Sequence, residues 1–368
     1  MHRKTWMEIN LDMIGDNIRK LKEICGKKVV AVLKANAYGC GDRQVMQAVL
    51  AGGADMIAVS SVDEALMIRQ EGYEGPVLIL GSADPEDIPV MIEHDISAAA
   101  FSAEWVQEAV LKGCRGLRVH MKVDTGMNRI GFKDNNELKK AFVLLKDAGC
   151  VMEGIFTHFC CADTDMEMTD SQYSRFASAV KALDYPFEWI HCDNSDATVF
   201  FRDDLSNACR VGISLYGIST YEKTLKYPVA LYSEISMVKQ VGKGETIGYG
   251  ATYTAEEDMW VGTVPIGYAD GFIRANQGRK VYVDGHLCEV CGRVCMDQMM
   301  IRLPEKLSPG TTVEIFGPHI SVEDMADELH TIPYEIFCLI SPRVTRKYIR
   351  HGVISEEDNI RLVQTGIL

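Results

Sequence analysis

No stretch of this 368-residue chain is strongly basic, and its formal charge is −14. Nucleic acids and anionic membranes both reward clustered Lys and Arg, so neither is expected as a partner. No segment reaches the roughly 18 consecutive apolar residues of a membrane-spanning helix. The opening MHRKTWMEIN meets an acidic residue before any apolar run could serve as a secretory signal. These absences predict a soluble, cytoplasmic chain, or the cytoplasmic part of a longer one. A second pair of metal ligands is also missing. HLCEVCGRVCMD gathers His286, Cys288, Cys291 and Cys295, but a structural zinc site usually takes two separated pairs. No metal is expected. The twelve cysteines, Cys160 and Cys161 adjacent among them, are scattered. A chain with a full core does not need disulfide staples, so reduced thiols are expected.

What is present is ordinary for a globular protein: 47% hydrophobic and 24% charged residues, at a length that suits two domains. Over residues 11–228, short apolar runs alternate with amphipathic stretches such as LDMIGDNIRKLKEIC. The runs VVAVLK (29–34), DMIAVS (55–60), VLIL (77–80), SAAAF (97–101), LRVHMKVD (117–124), MEGIFTH (152–158), FEWIHC (187–192) and CRVGISLYG (209–217) read as strands. Eight strands with a helix in nearly every gap predict an α/β fold, an eight-stranded parallel (β/α)8 barrel. An open doubly wound sheet is the competitor. Residues 229–368 change to period-two runs broken by glycine, which predicts a mostly β domain. The first strand, within residues 1–10, is expected to pair with that domain.

Function in a barrel lies at the C-terminal strand ends. Those ends carry Lys34, Lys122 with Asp124, His158, His191 and Arg210. Lys34 closes an otherwise apolar run. Read alone, it is either the exit of a buried strand or a catalytic amine. An amine on a catalytic rim suits Schiff-base chemistry with a carbonyl or with pyridoxal phosphate. NSDA (194–197) and RVGIS (210–214) offer a helix start and a glycine turn, both natural phosphate cradles.

Taken in order, AVLKANAYGCG, KVDTGMNRIGF, GIFTHF, HCDNS, RVGISLYG, GYGATY, PIGYADG and GRVCMDQ resemble the bacterial alanine racemases over nearly the whole chain. The resemblance implies a homodimeric pyridoxal 5'-phosphate enzyme that interconverts L- and D-alanine, with active sites shared between subunits. It implies that Lys34 holds the cofactor covalently and acts as one base, and that Tyr249 of the second subunit is the other. His158 would hydrogen-bond Arg210, which would face the pyridine nitrogen. Tyr38, Ser195 and the backbone of Gly212 and Ile213 would hold the phosphate, and Asn194 would also be cofactor-binding. Arg129 would contact the cofactor's phenolic oxygen and the substrate, and Lys122 matches a lysine often carbamylated in the family. Tyr268, Met296 and Asp297 match substrate-side positions, and His191 has no assigned role.

One position departs from the pattern. The family usually reads ISYRV near its end, and this chain reads ISPRV, with Pro342 in place of the tyrosine. That opens a second reading, a serine or broader-specificity racemase. A diamino-acid decarboxylase of the same fold type is a third.

Overall fold

Val29, Val30, Ala31 and Val32 are all buried, the condition of a strand covered on both faces. In the computed structural model, which describes residues 3–359, they belong to a closed ring of strands. The chain begins with β1 (Thr5–Asn10) and a helix at Leu11–Cys25. Leu11, Ile14, Ile18 and Leu21 form that helix's buried stripe. The ring follows as β2 (Lys28–Val32), β3 (Met56–Val59), β4 (Val77–Ile79), β5 (Ile96–Ala100), β6 (Arg118–Lys122), β7 (Val151–Phe156), β8 (Trp189–His191) and β9 (Ala208–Val211). Neighbours pair in parallel, and β9 returns to β2. Parallel neighbours need crossovers. Helices at Asp42–Ala51, Val62–Gln70, Ile88–Glu93, Ala103–Leu111, Asn135–Asp147, Met166–Leu183 and Ser195–Phe200 supply most of them. Ser61, Ser102, Asp134, Asp165 and Asn194 cap five of these helices by accepting first-turn amides.

Of the eight expected strands, the last is shorter than its sequence suggests. It ends at Val211, because Gly212 (φ −126°, ψ −84°) leaves the ladder and Ile213–Tyr216 turns as a 3-10 helix.

The barrel interior is divided in character. Val30, Val32, Met56, Ala58, Leu78 and Trp189 pack as an apolar cluster. On β5, β6, β8 and β9 inward-facing positions also hold buried Ser97, His120, Lys122, His191 and Arg210. Interiors of this kind are ordinarily filled by branched apolar side chains.

Packing separates the described residues into two units, 13–37 with 42–226, and 3–12 with 38–41 and 227–359. In the second unit, β10 (Val229–Glu234), β11 (Met237–Val241), β12 (Thr246–Ile247), β13 (Tyr253–Thr254), β14 (Met259–Val264), β15 (Lys280–Val283), β16 (His286–Glu289), β17 (Met299–Leu303), β18 (Thr312–Phe316), β19 (Thr345–Arg350) and β20 (Val353–Asp358) make three sheets. In the seven-stranded sheet, β1 lies antiparallel to β10 and parallel to β19. Burial alternates strictly along β10 and β17, as for sheets with one covered face. Residues 38–41 join this unit partly through Arg346, whose Nε and Nη2 donate to Gly39 O at 3.1 and 3.0 Å.

Candidate active site

Lys34 stands where β2 leaves the ring, and the backbone beyond it is unusual. Ala35, Asn36, Ala37 and Tyr38 have φ of 56°, 54°, 50° and 58°, a full turn of left-handed helix without glycine. For L-residues this costs about 1–2 kcal/mol each, so neighbours must fix it. Ala37 N donates to Leu33 O at 2.8 Å and Asp42 N to Asn36 Oδ1 at 2.9 Å. Ala35 N donates to Glu64 Oε1 at 2.7 Å, and Tyr216 OH donates to Ala37 O at 2.6 Å. Glu64 is itself held by the Ser60 amide and hydroxyl at 2.8 and 2.9 Å. Lys34 is exposed at the head of this turn.

Arg210, on β9, is 3% exposed and heavily bonded. Its Nη1 donates to His191 Nδ1 at 2.9 Å and His191 O at 3.0 Å. Its Nη2 donates to Thr157 O at 2.7 Å, Cys192 O at 3.1 Å and His158 Nδ1 at 3.2 Å. Burial lowers its pKa to about 10, which leaves it charged at neutral pH. His158 is held well below the usual imidazole range, by burial first, then by the charges of Arg210, Lys122, Arg129 and Lys34. It is therefore neutral, and its Nδ1 accepts from Arg210.

Lys122 ends β6, also 3% exposed, with Nζ donating to Val123 O at 2.9 Å and lying 5.3 Å from the Phe156 ring centre. Burial, then Arg210, lower its pKa to about 7; Asp124 opposes the shift and Arg129 adds to it. Arg129 lies exposed in the following loop, which Asp124 shapes by accepting the Gly126 and Asn128 amides at 3.0 Å. After β8, Asn194 Oδ1 caps the helix through Ala197 N at 3.1 Å, and Ser195 Oγ accepts Gly212 N at 3.0 Å. The Ser195 hydroxyl thus joins that helix start to the turn at Gly212 and Ile213, and retains its own proton to donate.

In the second unit, Tyr38 is buried, its ring centre 5.9 Å from that of Tyr334, and burial pushes its phenol pKa up. Tyr249 is 71% exposed on a turn opened by Gly248 at φ 75°. Tyr249 and Tyr268, with Arg274, Arg293, Val294 and Cys295, line a cavity of about 340 Å³. Tyr268 N and Ala269 N donate to Cys295 O and Met296 O at 3.1 and 3.0 Å. A Cβ at Gly267 would overlap both carbonyls, so this approach requires glycine. Asp297 accepts from Arg343 Nη2 at 2.6 Å. Pro342 stands beside that arginine, at the second position of a turn closed by Val344 N to Ser341 O at 3.1 Å, a place proline favours.

The two groups are thus Lys34, Lys122, Arg129, His158, Asn194, Ser195, Arg210, Gly212 and Ile213 in the barrel unit, and Tyr38, Tyr249, Tyr268, Met296 and Asp297 in the other. His191 is not a rim residue. Its ring lies inside the barrel, stacked on Phe156 at 4.9 Å, with Nε2 2.9 Å from His120 Nδ1. Three interior residues, Ser97, His120 and Glu153, had no part in the sequence reading. For Ser97 and His120 the available signal was a polar residue at inward parity; Glu153, the extra residue between Met152 and Gly154, is out of that parity and gave none. Among the described residues, Cys192, Asp193 and Asp203 are the one group spaced to hold a metal, and Lys27 Nζ fills it at 2.9 and 2.6 Å from the two carboxylates.

The sequence matches the family models described as alanine racemase, N-terminal domain (residues 9–220) and alanine racemase, C-terminal domain (residues 229–348). The alanine racemase of Geobacillus kaustophilus is 42% identical over 97% of this chain and 98% of its own. Alanine racemase 1 of Bacillus subtilis is 39% identical over 100% and 98%. Among solved structures, Bacillus anthracis alanine racemase with bound L-Ala-P superposes with a TM-score of 0.93 at 37% identity, covering 99% of both chains. A histidine racemase from Leuconostoc mesenteroides reaches a TM-score of 0.88 at 29% identity, covering 95% and 99%. The chain belongs to the alanine racemase family and is an amino-acid racemase.

Proposed function

We propose that the protein interconverts L- and D-alanine by a two-base mechanism using pyridoxal 5'-phosphate, in a homodimer whose sites are completed across the subunits. The observation that carries this reading is the donor set in the barrel. Lys34, Lys122, Arg129 and Arg210 influence one another or a shared histidine, while the carboxylates among those influences are two, Asp124 and Asp193, the latter already paired with Lys27. Even with the Lys122 amine neutral, Lys34, Arg129 and Arg210 on a chain of charge −14 suit a bound anion.

The cofactor, when bound, makes an amino acid's α-hydrogen acidic by conjugating it with the ring. Lys34 carries the cofactor through its amine and moves the α-proton on its own side. Tyr249 of the second subunit moves a proton on the opposite face. Two bases on opposite faces are what inversion at one carbon requires. Ser195 and the amides of Gly212 and Ile213, with Tyr38, would hold the phosphate, and Asn194 caps the helix that carries Ser195. Arg210 cannot give up its proton, so placed at the pyridine nitrogen it would leave that nitrogen unprotonated and would restrain the ring as an electron sink. Arg129 contacts the phenolic oxygen and the substrate, and Tyr268, Met296 and Asp297 close the substrate side.

The test is covalent. The purified protein should be yellow, borohydride should abolish the visible band, and peptide mapping should then find the pyridoxyl group on Lys34. A label on Lys122 alone, or none, refutes the assignment.

Lys122 is proposed to be carbamylated. With its pKa lowered to about 7, much of the amine is neutral near pH 7 and can attack carbon dioxide. The carbamate would give Arg129 a negative partner. Protein equilibrated with 13C-bicarbonate should show a carbamate resonance that Lys122→Ala abolishes. An identical spectrum in the variant would place the modification elsewhere.

A further inference from the structure

Below Arg210 a line of hydrogen bonds continues through the barrel interior. His191 Nε2 meets His120 Nδ1 at 2.9 Å, and His120 Nε2 meets Glu153 Oε2 at 3.1 Å. Ser97 Oγ donates to the same carboxylate oxygen, and Arg118 Nη1 donates to the other at 3.2 Å. Arg118 opens β6, and its Nε reaches Asp95 at 2.7 Å. The line therefore runs from the C-terminal rim to the N-terminal ends of the strands.

Only one direction of donation is available along it. An arginine donates and cannot accept, so His191 Nδ1 must be bare and its proton must sit on Nε2. That N–H donates to His120 Nδ1, which places the His120 proton on Nε2, where it donates to Glu153. Burial, followed by the charge of Arg210, holds His191 well below the usual imidazole range, so it stays neutral. Burial raises the Glu153 pKa, but hydrogen bonds from His120 and Ser97 and the charge of Arg118 leave it lower overall, so the chain ends on a carboxylate. Because its upper end cannot take up a proton, the line cannot relay one. It can only orient.

The sheet is deformed where this line crosses it. Between β6 and β7, Val119 pairs with Met152 and His120 pairs with Gly154, so Glu153 is an extra residue opposite no partner. A bulge is rare in a parallel pair, and bulges re-aim side chains. Gly154 matches the distortion, because a Cβ there would overlap the His120 ring. Both irregularities serve the same contact.

We propose that Glu153 is a positioning residue for racemisation: through His120 and His191, each fixed in its Nε2–H tautomer, it sets the plane of the Arg210 guanidinium at the catalytic rim. The tautomers follow from the hydrogen-bond geometry alone. The effect on rate rests on Arg210 facing the cofactor ring, as proposed above.

The experiment uses the pyridoxal-phosphate-loaded enzyme labelled with 15N-histidine, as wild type, Glu153→Gln and Glu153→Leu. Two resonance sets in the wild type at neutral pH should report neutral rings protonated on Nε2, and each should disappear in His120→Gln or His191→Gln. Glu153→Leu removes the acceptor. Its His120 should populate both tautomers, the cofactor's visible absorption should shift, and kcat should fall roughly tenfold with KM for alanine nearly unchanged, the scale of a modest misplacement. Glu153→Gln keeps an acceptor oxygen and should restore the wild-type tautomers and most of kcat. Should Glu153→Leu fail to fold, the wild-type spectrum still decides. A proton on Nδ1 of either ring, or a charged His120, overturns the proposal. So does Glu153→Leu with wild-type tautomers and kcat. Tautomers as expected with kcat unmoved would refute positioning and point to the placement of Arg210 against the ring, while the Lys34 label would still stand.

Discussion

Lys34→Ala and Tyr249→Phe chains, each inactive alone, should regain activity when mixed and allowed to exchange subunits. Removing a general base costs about 10²–10⁴-fold, and losing Lys34 also removes the cofactor's anchor. If the two bases come from different subunits, a hybrid dimer has one site with both defects and one with neither. With random exchange half the dimers are hybrids, so about a quarter of the wild-type activity should return for a twofold-symmetric dimer. Tyr249 is presented for such a role, 71% exposed beside a cavity that it lines with Tyr268. Mass spectrometry of differently tagged chains establishes that hybrids formed. Inactivity in demonstrated hybrids would place both residues in one chain's site.

Pro342→Tyr should shift the enzyme toward alanine and away from serine. In the family pattern a tyrosine narrows the pocket at this position, and here the second position of the turn is an exposed proline. The turn is tied through Arg343 to Asp297, at 2.6 Å, one of the residues proposed above for the substrate side. Loss of a phenol leaves room for a side chain one hydroxyl larger than a methyl. Pockets distinguish such pairs by about 1–3 kcal/mol, or roughly 10–200-fold. Measurable serine racemisation is therefore expected in the parent, and the ratio of kcat/KM for L-serine to L-alanine should fall within that range in Pro342→Tyr. A parent inactive on serine, or a ratio that tyrosine leaves unmoved, would make this an alanine racemase whose backbone compensates for the missing ring. The fold itself does not restrict the substrate to alanine, since a histidine racemase shares it at a TM-score of 0.88.

The early part of the barrel was legible because its strands are buried on both faces and spelled as unbroken apolar runs, such as MIAV or VLI, and the later strands, RVHMK among them, through their spacing between helical stretches. The motifs bearing Lys34, Arg210 and Tyr249 were legible through resemblance. His120 and Glu153 were not, because neither has meaning without partners far away in the chain: Glu153 lies 33 residues from His120, and His191 lies 71. The end of β9 was misread for a local reason. RVGISLYG keeps its apolar alternation past Val211, and nothing in that alternation reveals that Gly212 turns out of the ladder. The left-handed turn after Lys34 was equally hidden. Of Ala35, Asn36, Ala37 and Tyr38, only the asparagine belongs to a type that visits such conformations readily, and the contacts that impose the turn come from Glu64 and Tyr216, 29 and 179 residues away.

That turn is the mirror image of ordinary helix, written in residues of the ordinary hand. An amino acid of opposite chirality would occupy positions 35 and 37 without strain, and the L-alanines there are held against their preference. Over four residues the preference sums to about 4–8 kcal/mol, comparable to the whole net stability of many domains. Such a segment cannot bend gradually. It either keeps its reversed hand, with Glu64 and Tyr216 bonded to it, or reverts altogether. The backbone on which Lys34 sits is consequently fixed in direction by the handedness of the turn that follows it.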